Sequence, residues 1–442
     1  MRKWSAALWL LLLGCGSTSA PTTAIRNVYV VDVADGTVRA AQTVLIEGNR
    51  IVAVGPAETL RVPVDADVIE GDGSYLIPGL WDMHAHHFRS PDGLEAELMR
   101  HVTNGVLGVR DLGIPLDSIP RLREVAANSA IPAPRVWFSG PLLESTDIYS
   151  SMPGRIPVSD TTAARRAVET LAAAGVTFIK VHDLVSPEIY LSAARAAKSH
   201  GLAVVGHVPV TMTTDQVIDA GQRSIEHLGQ LHAPFAECSE NGQIDREASA
   251  RLLTDVQYYT YFLNTNYLGR LLTAFDVDRC KDLARRLAEA KMWQVPTLVI
   301  WQEWAEGVPW FPPGLEKHLR EALSTAMRVT AIFNEAGVPI MTGTDNVGTV
   351  HDELVLLVDA GLSPLRALQA ATLHPATFLE KSHELGTVEP GKLADLVLLD
   401  GNPLDNITNT QKIRAVVADG RLYRRADLDR VLTELDSASA AR

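Results

Sequence analysis

The chain has 442 residues, of which 46% are hydrophobic and 21% are charged, a composition that excludes a disordered chain and a multi-span membrane protein. Its 40 basic residues are outnumbered by 53 acidic residues, for a formal charge of -13. This charge argues against nucleic acid or an anionic lipid surface as a partner and favours a small-molecule substrate. Three cysteines are too few for a disulfide scaffold or a cysteine zinc site.

The N-terminal residues have the pattern of a bacterial lipoprotein signal. Two basic residues precede an apolar run, Ala6–Leu13, which has the length of a signal-peptide core and is too short to span a bilayer. The run leads to Cys15, as in a lipobox, where the cysteine receives the lipid. We predict a signal peptide over residues 1–14, a tether over residues 15–24, and a lipid anchor on Cys15 in the bacterial envelope. An ordinary secretory signal is the alternative.

Both ends of the remaining chain have the pattern of β-strands. Residues 25–76 contain short runs rich in β-branched residues and broken by turn residues. The same pattern returns over residues 385–425, for example in Leu396–Asp400. Because two such stretches flank a different middle, we predict one small β-sandwich domain built from both termini. Residues 426–442 are predicted to be a C-terminal tail.

The middle, residues 77–384, alternates short apolar runs with longer helical segments, which is typical of repeated βα units. Helices are predicted over Thr162–Ala174 and Pro187–His200, with Gly175 and Gly201 as helix stops. Eight strands over about 300 residues fit an α/β fold, a (β/α)8 TIM barrel. An open doubly wound sheet is the alternative, but no Gly-x-Gly-x-x-Gly turn opens a helix. The predicted strands are Leu80–His84, Val106–Arg110, Arg135–Ser139, Thr177–Val181, Ala203–His207, Ser224–His227, Val295–Ile300 and Pro339–Thr342.

A long segment, residues 228–292, separates the sixth and seventh predicted strands and is rich in polar and aromatic residues such as Tyr258. Long loops in barrels are usually functional, so this segment is a candidate for substrate selection, with a peripheral helical decoration as the alternative. It contains Cys238 and Cys280. An oxidising compartment permits a disulfide between them, and two buried free thiols are the other interpretation.

Side chains that ligate metals collect at the carboxyl ends of the predicted strands, where the active sites of such barrels lie. His84 and His86 close the first strand, and because strand side chains alternate between faces, both point the same way. His207 and His227 end the fifth and sixth strands. Imidazoles at several strand ends predict a site for a metal such as zinc, manganese or iron.

The fourth and eighth strands add a lysine and an acid. Lys180 lies within an apolar strand, and burial lowers the pKa of a lysine. Its neutral amine can add carbon dioxide to become a carbamate, which can bridge two divalent cations. The alternative is a lysine that reaches water or pairs with Asp183. Asp345 follows the eighth strand as a candidate metal ligand, with a helix cap as the alternative.

In order and spacing, this set resembles the amidohydrolase superfamily in its two-metal, carboxylated-lysine form. Within that superfamily it resembles the branch of imidazolonepropionase-related and Xaa-Pro dipeptidase-like enzymes. The resemblance runs from about Ile25 to Leu422, and the family pairs its barrel with a small β domain built from both termini. The local contexts that carry it are Ile77–His84, Arg223–His227, Gly343–Asp345 and Gly391–Val397.

The resemblance implies a centre of two divalent metal ions, with zinc expected and manganese or iron as alternatives. The implied ligands are His84, His86 and Asp345 for one ion, His207 and His227 for the other, and a carboxylated Lys180 that bridges both.

The implied reaction is hydrolysis of an amide (C–N) bond in a small substrate, such as a dipeptide or an N-acyl amino acid. A hydroxide between the metals would be the nucleophile, and Asp345 would carry the proton. A lactonase, esterase or phosphotriesterase activity at the same binuclear site is the alternative. A binding lipoprotein without turnover would be marked by a missing ligand, and all six are present.

Several other positions remain open at this point. Relatives often follow strand three with a glycine- and histidine-rich loop that helps bind substrate, whereas Gly140 here leads into a segment without histidine. Arg110 and Asp111 are interpreted as members of a structural ion pair. The alternative is that one of them contacts the metal ligands and orients them. His351 is interpreted either as a pocket residue or as a capping or surface residue, and His182 is not assigned. The oligomeric state, including a homo-oligomer, is also open.

Overall fold

The computed structural model describes residues 22–87, 93–127, 132–144, 153–229, 234–240, 265–308 and 314–440. The predicted signal peptide, Cys15 and Tyr258 lie outside the described residues, so the lipid anchor stays a prediction. Within these ranges, no helix combines the length and apolar character needed to cross a membrane.

The described residues form strands that we number in chain order. They are β1 Thr22–Val31, β2 Val38–Glu47, β3 Arg50–Pro56, β4 Asp67–Glu70, β5 Tyr75–Pro78, β6 Leu80–Ala85, β7 Val106–Asp111, β8 Arg135–Phe138, β9 Leu142–Glu144, β10 Arg155–Pro157, β11 Phe178–Val181, β12 Ala203–Gly206, β13 Ser224–Glu226, β14 Trp293–Val295, β15 Leu396–Leu399, β16 Ile413–Ala418 and β17 Arg421–Arg424.

The described α-helices are numbered in the same way. They are α1 Leu94–Thr103, α2 Ile119–Ala127, α3 Thr161–Ala173, α4 Pro187–Ser199, α5 Thr214–Asp219, α6 Thr265–Thr273, α7 Val277–Glu289, α8 Leu298–Glu306, α9 Glu316–Glu335, α10 Val350–Asp359, α11 Pro364–Ala370, α12 Leu373–Phe378 and α13 Arg425–Ala440. The last helix occupies most of the segment that the sequence predicts to be a tail.

Strands from both ends of the chain share one sheet, in the order β17-β16-β15-β5-β1-β2-β3 with β4 beside β1. Alternate residues such as Val28 and Val30 of β1, and Val44 and Ile46 of β2, are buried. They pack in one apolar cluster with Leu396 of β15, so the two ends of the chain hold each other in place. A sandwich with a second sheet, and the domain limits at residues 77 and 384, stay predictions.

The middle of the chain contains parallel sheets, as an α/β fold requires. One has the order β10-β9-β11-β12-β13-β14 and the other β6-β7-β8. All four residues of β11 are buried, which is typical of parallel strands covered on both faces by helices. Backbone hydrogen bonds from Thr177 N to Phe138 O and from Met83 N to Thr342 O, both 2.9 Å, extend the network beyond these sheets. Closure into an eight-stranded barrel stays a prediction.

The predicted strand Val295–Ile300 is wrong. The chain forms the shorter strand Trp293–Val295 and then turns into the helix Leu298–Glu306. The error has a physical reason, because a short apolar run that is buried on every side has no periodicity to separate strand from helix. At the predicted strand Pro339–Thr342, the structure has an isolated parallel bridge from Ile340 to Gln294.

The predicted helices α3 and α4 are confirmed within one residue at each end. The Asp160 carboxylate accepts hydrogen bonds from two N–H groups at the start of α3, and the Ser186 hydroxyl accepts one at the start of α4. These contacts satisfy N–H groups that have no partner inside a helix. Gly175 follows α3 with a φ of 72°, a left-handed conformation in which glycine is unstrained.

Cys238 and Cys280 form a disulfide, which decides between the two alternatives that the sequence leaves open. Both cysteines are fully buried. The bond links the short 3-10 helix Phe235–Cys238 to α7. The described parts of the segment 228–292 are largely helical. The proposed role of this segment in substrate selection stays a prediction.

Candidate metal centre

The structure brings the six predicted side chains together at the carboxyl ends of the parallel strands. The Nε2 atom of His84 lies 3.2 Å from Nε2 of His86 and 3.5 Å from Nζ of Lys180. It also lies 3.8 Å from Oδ1 of Asp345, whose Oδ2 lies 3.8 Å from Nε2 of His227. Six potential ligand atoms from five residues thus surround one small region.

His207 joins this group through His227, because the centroids of the two rings are 5.1 Å apart. The ring of His227 lies 4.4 Å from that of His84. The imidazoles of three strands therefore lie side by side. The sequence predicts this convergence from strand ends alone.

The centre is buried on one side and open on the other. The side chains of His86 and Asp345 keep 28% and 24% of their surface exposed. The other four residues are buried; they are His84, Lys180, His207 and His227. A small molecule can therefore approach from the side of His86 and Asp345. The buried lysine does not reach water, so that part of the alternative is wrong, whereas the charge of Asp183 does act on Lys180.

Gly206 makes room for the lysine. A Cβ at this position would lie 2.3 Å from the backbone oxygen of Val181 and 2.9 Å from Cδ of Lys180. Because the obstructing atom at 2.3 Å belongs to the backbone, no side-chain rotation would relieve that contact. A residue without a side chain at the end of β12 is thus required for the packing of Lys180.

Three non-glycine residues at the centre have left-handed backbone conformations. The φ angles are 56° at His227, 46° at Thr297 and 53° at Asp345. Such conformations cost about 1–3 kcal/mol each and cluster at functional sites. The backbone of Asp345 is held by a 2.7 Å hydrogen bond from its N–H to the carbonyl oxygen of His84. Asp345 is thereby held against β6 and is not a helix cap.

Oxygen acceptors determine which nitrogen of each imidazole carries the proton. Nδ1 of His84 lies 2.9 Å from Oε2 of Glu226, and Nδ1 of His207 lies 2.7 Å from Oδ1 of Asp183. Because a carboxylate can only accept, each Nδ1 is the donor. The Nε2 atom of each ring then has a lone pair that can bind a metal.

The same conclusion holds for His227, whose neighbour is a hydroxyl. Nδ1 of His227 lies 2.6 Å from Oγ1 of Thr297, and that hydroxyl donates its single proton to the carbonyl oxygen of Pro296 at 2.8 Å. Oγ1 must therefore accept from Nδ1–H. All three buried imidazoles have Nε2 as the remaining ligand atom.

Arg110 supports the orientation of His84 through Glu226. Its guanidinium donates to both carboxylate oxygens of Glu226, and Glu226 in turn accepts from His84. Arg110 thus belongs to an ion pair, as one interpretation predicts, and that pair also orients a candidate ligand. Asp111 does not share this pair, since its carboxylate accepts from His87.

Burial favours the neutral form of these bases. It holds the pKa of His84 and of His207 well below the ordinary value and lowers the pKa of His227 to about 3. It also lowers the pKa of Lys180 to about 8, against the opposing charges of Glu226 and Asp345. Neutral imidazole is the form that binds metal ions.

Asp345 is the exception to this rule. Its burial opposes ionisation, but the hydrogen bond with His86 and the charges of His86, His227 and Lys180 outweigh burial and hold the pKa of Asp345 well below its ordinary value. The side chain is therefore an anionic carboxylate at neutral pH. Neutral imidazoles and one carboxylate form a donor set that fits divalent zinc, manganese or iron.

Sequence analysis missed the residues that hold the imidazoles in place. Glu226 directly precedes His227, and Asp183 follows the strand that contains Lys180. An acidic residue next to a ligand at a strand end is a sequence signal from which both could have been predicted. Thr297 lies in the segment that was predicted to be a strand. His351 is buried and bonds Thr410 and the backbone carbonyl of Asn104, the C-cap residue of α1, so it is not a surface residue.

The family model described as "Amidohydrolase family" matches residues 75–423. Among curated proteins, the chain is 24% identical over 408 residues to "Adenine deaminase 1" of Desulfotalea psychrophila (strain LSv54 / DSM 12343). This match covers 90% of the present chain and 56% of the deaminase. The chain therefore spans little more than half the length of that relative.

Two solved structures resemble the chain at 21% identity. A Xaa-Pro dipeptidase with bound methionine in the active site has a TM-score of 0.68 and covers 91% of this chain and 100% of the dipeptidase. A bottromycin amidohydrolase has a TM-score of 0.69 and covers 94% of this chain and 90% of the other. These likenesses indicate a shared fold.

Proposed function

Because the chain belongs to the amidohydrolase family, whose members are hydrolases, we propose that it is a binuclear metal-dependent enzyme that cleaves an amide bond of a small substrate. A dipeptide or an N-acyl amino acid is the proposed substrate class. The observation that carries the proposal is the convergence of Lys180 and Asp345 with four imidazoles at one group of strand ends.

In this proposal the six side chains divide between two cations. His84, His86 and Asp345 would hold one, His207 and His227 would hold the other, and Lys180 as a carbamate would be a ligand of both. Burial lowers the pKa of Lys180 to about 8, which increases the fraction of neutral amine that can add carbon dioxide. When bound, two such cations lower the pKa of water and polarise the scissile carbonyl.

The chain itself supplies the proton carrier and the fixed geometry. The Asp345 carboxylate is ionised and lies on the open side of the centre, where it can accept a proton from water and deliver it to the leaving nitrogen. Glu226, Asp183 and Thr297 hold the imidazoles in one orientation. Fixed ligands let the site react without first reorganising.

The substrate class is supported by the Xaa-Pro dipeptidase among the structural neighbours. A second candidate reaction, deamination of adenine, is favoured by the curated relative that is named for it. In both reactions the attacked carbon carries a nitrogen leaving group. The same centre could also open a lactone, an ester or a phosphotriester.

One substrate panel separates these reactions. Protein reconstituted with zinc or manganese is incubated with dipeptides, N-acyl amino acids, adenine, lactones and a phosphotriester, with and without a chelator. We expect release of free amino acid that stops on chelation. Turnover of adenine alone, or of the esters alone, would replace the proposed substrate class.

Metal analysis tests the centre itself. We expect about two divalent ions per chain, as six ligands on a shared centre require. One ion or none, together with no turnover on the panel, would indicate a binding protein that keeps the fold without catalysis. The lipid anchor on Cys15 is a separate proposal, which a Cys15→Ala variant checks by loss of membrane association.

A further inference from the structure

A fifth imidazole lies at the end of the row formed by the four candidate ligands. The ring centroid of His182 is 4.4 Å from that of His207, and the row continues through His227 and His84 to His86 with centroid distances of 5.1, 4.4 and 5.2 Å. The spacing between His182 and its neighbour is no larger than the spacing between the proposed ligands.

The backbone explains why His182 points toward the centre. The N–H of His182 donates to the carbonyl oxygen of Leu143 at 3.1 Å, so the pairing of β11 with β9 extends one residue past Val181. Side chains of a strand alternate between faces. His182, two residues after Lys180, therefore lies on the same face as the lysine.

His182 is held in the same way as the buried candidate ligands. Its Nδ1 lies 2.8 Å from Oε2 of Glu144, and both residues are buried. Because the carboxylate accepts, Nδ1 carries the proton and Nε2 keeps a lone pair. His84, His207 and His227 have this arrangement, with Glu226, Asp183 and Thr297 as the acceptors. A carboxylate behind the far nitrogen of an imidazole is typical of metal-binding histidines.

Two further observations support a ligand role. His182 and His207 turn the same ring nitrogen toward one carboxylate, because Oδ2 of Asp183 lies 3.8 Å from Nδ1 of His182 and its Oδ1 lies 2.7 Å from Nδ1 of His207. In the proposed centre, the cation held by His207 and His227 has one protein ligand fewer than the cation held by His84, His86 and Asp345. With Lys180 counted on both cations, they have three and four protein ligands, so a further imidazole would give each cation four.

We propose that His182 is a further metal-ligating residue, which supplies a third imidazole to the cation held by His207 and His227. This inference rests on the proposed metal centre. It assigns a role to Glu144 as well, since Glu144 orients the ring of His182.

The test compares metal binding by four proteins: the full-length chain, His182→Gln, Glu144→Gln and His351→Gln. The glutamine at position 182 keeps an amide N–H for Glu144 and removes the imidazole. His351 is a matched control, because it is a buried histidine bonded to Thr410 and Asn104 outside the row. Each protein is loaded with Co²⁺ or Zn²⁺, and metal content, chelator competition and the visible spectrum of bound Co²⁺ are measured.

We expect His182→Gln to weaken the second cation by at least ~10-fold, the lower end of the loss seen when an orienting partner of a ligand is removed. The affinity for the first cation should stay unchanged. The Co²⁺ spectrum should change in intensity, because one nitrogen leaves the coordination shell. Glu144→Gln should weaken the same cation by a smaller factor, and His351→Gln should match the unaltered chain. Circular dichroism of all four proteins checks that they are folded.

The outcomes separate this inference from the proposed function. If the unaltered chain binds two cations and His182→Gln has the same affinities and the same Co²⁺ spectrum, the role of His182 is overturned and the binuclear centre stands. If the unaltered folded chain binds no cation, the binuclear centre fails and the role of His182 fails with it. If the His182→Gln protein does not fold, the Glu144→Gln protein provides the test. An affinity of Glu144→Gln for the second cation equal to that of the unaltered chain would then overturn the inference.

Discussion

The guanidinium of Arg110 donates to both carboxylate oxygens of Glu226, at 2.9 and 2.8 Å, where neither side chain is exposed to solvent. The same carboxylate accepts from Nδ1 of His84. One buried ion pair thus links the interior of the fold to a candidate metal ligand.

Replacement of Arg110 tests the structural part of that link. We expect Arg110→Met to lower the free energy of unfolding by about 3–5 kcal/mol, because it leaves the Glu226 charge buried with less compensation. Urea unfolding of the metal-free protein measures the loss. Arg26→Met is the control, since Arg26 pairs with Glu70 at the surface and exposed pairs contribute about 0–1 kcal/mol. Equal losses in the two variants would contradict the role given to burial.

Asp345 is expected to carry the proton in catalysis. Asp345→Asn should lower kcat by at least ~100-fold, because the amide cannot accept and return a proton. Steady-state kinetics on the best substrate of the panel, with metal content measured in parallel, provide the check. Asp359→Asn, an exposed substitution in α10, should leave kcat unchanged. A fully active Asp345→Asn protein that still binds two metals would remove Asp345 from the mechanism.

Glu353 gives a pH dependence of stability. Burial raises the pKa of Glu353 to about 8, although the N–H of Val299 donates to its Oε2 at 3.0 Å. Its Oε1 has no hydrogen-bond partner in the described part of the chain. Below an ordinary pKa of about 4.3 for glutamate, both the folded and the unfolded chain hold the proton, so Glu353 carries no penalty. Between that pH and about 8, only the folded chain keeps the proton, so the free energy of unfolding falls as pH rises.

Glu353→Gln should therefore flatten the pH profile of stability. In urea unfolding between pH 5 and pH 9, we expect the unaltered chain to lose a few kcal/mol from this group and the variant to lose less. Glu434→Gln changes an exposed glutamate in the last helix and should keep the slope of the unaltered chain. Parallel profiles for all three proteins would refute the raised pKa of Glu353.

Loss of the disulfide should destabilise the protein. We expect Cys238→Ala with Cys280→Ala to lower the free energy of unfolding by about 2–4 kcal/mol, because the unfolded chain gains conformational freedom. The unaltered chain unfolded under strong reducing conditions should give a similar value. Unfolding curves that coincide with and without reductant would show that the bond contributes nothing to stability.

The positions of the candidate ligands could be predicted because the information is local. Each of His84, Lys180, His207 and His227 lies within or directly after an apolar run that forms a parallel strand, and parallel strands end at a common edge. The helices α3 and α4 were equally accessible, since a capping residue before and a glycine after them are local signals.

The partners of those ligands could not be predicted, because they depend on which strands become neighbours. Glu226 and Arg110 are 116 positions apart in the chain, and no spacing rule relates them. Thr297 was hidden by a second cause. It lies in the run Val295–Ile300, where burial on all sides removes the periodicity that distinguishes strand from helix. No pattern in the sequence therefore predicts the contact between Thr297 and His227.

The disulfide joins two helical pieces that flank the segment 241–264. Any cut of the backbone between Cys238 and Cys280 would therefore leave both fragments covalently attached. A protease acting there would produce a protein that runs as one band on a gel without reductant and as two bands with it. In the described part of the chain, the strands of the parallel sheets lie either before Cys238 or after Cys280, so such a cut would interrupt none of them.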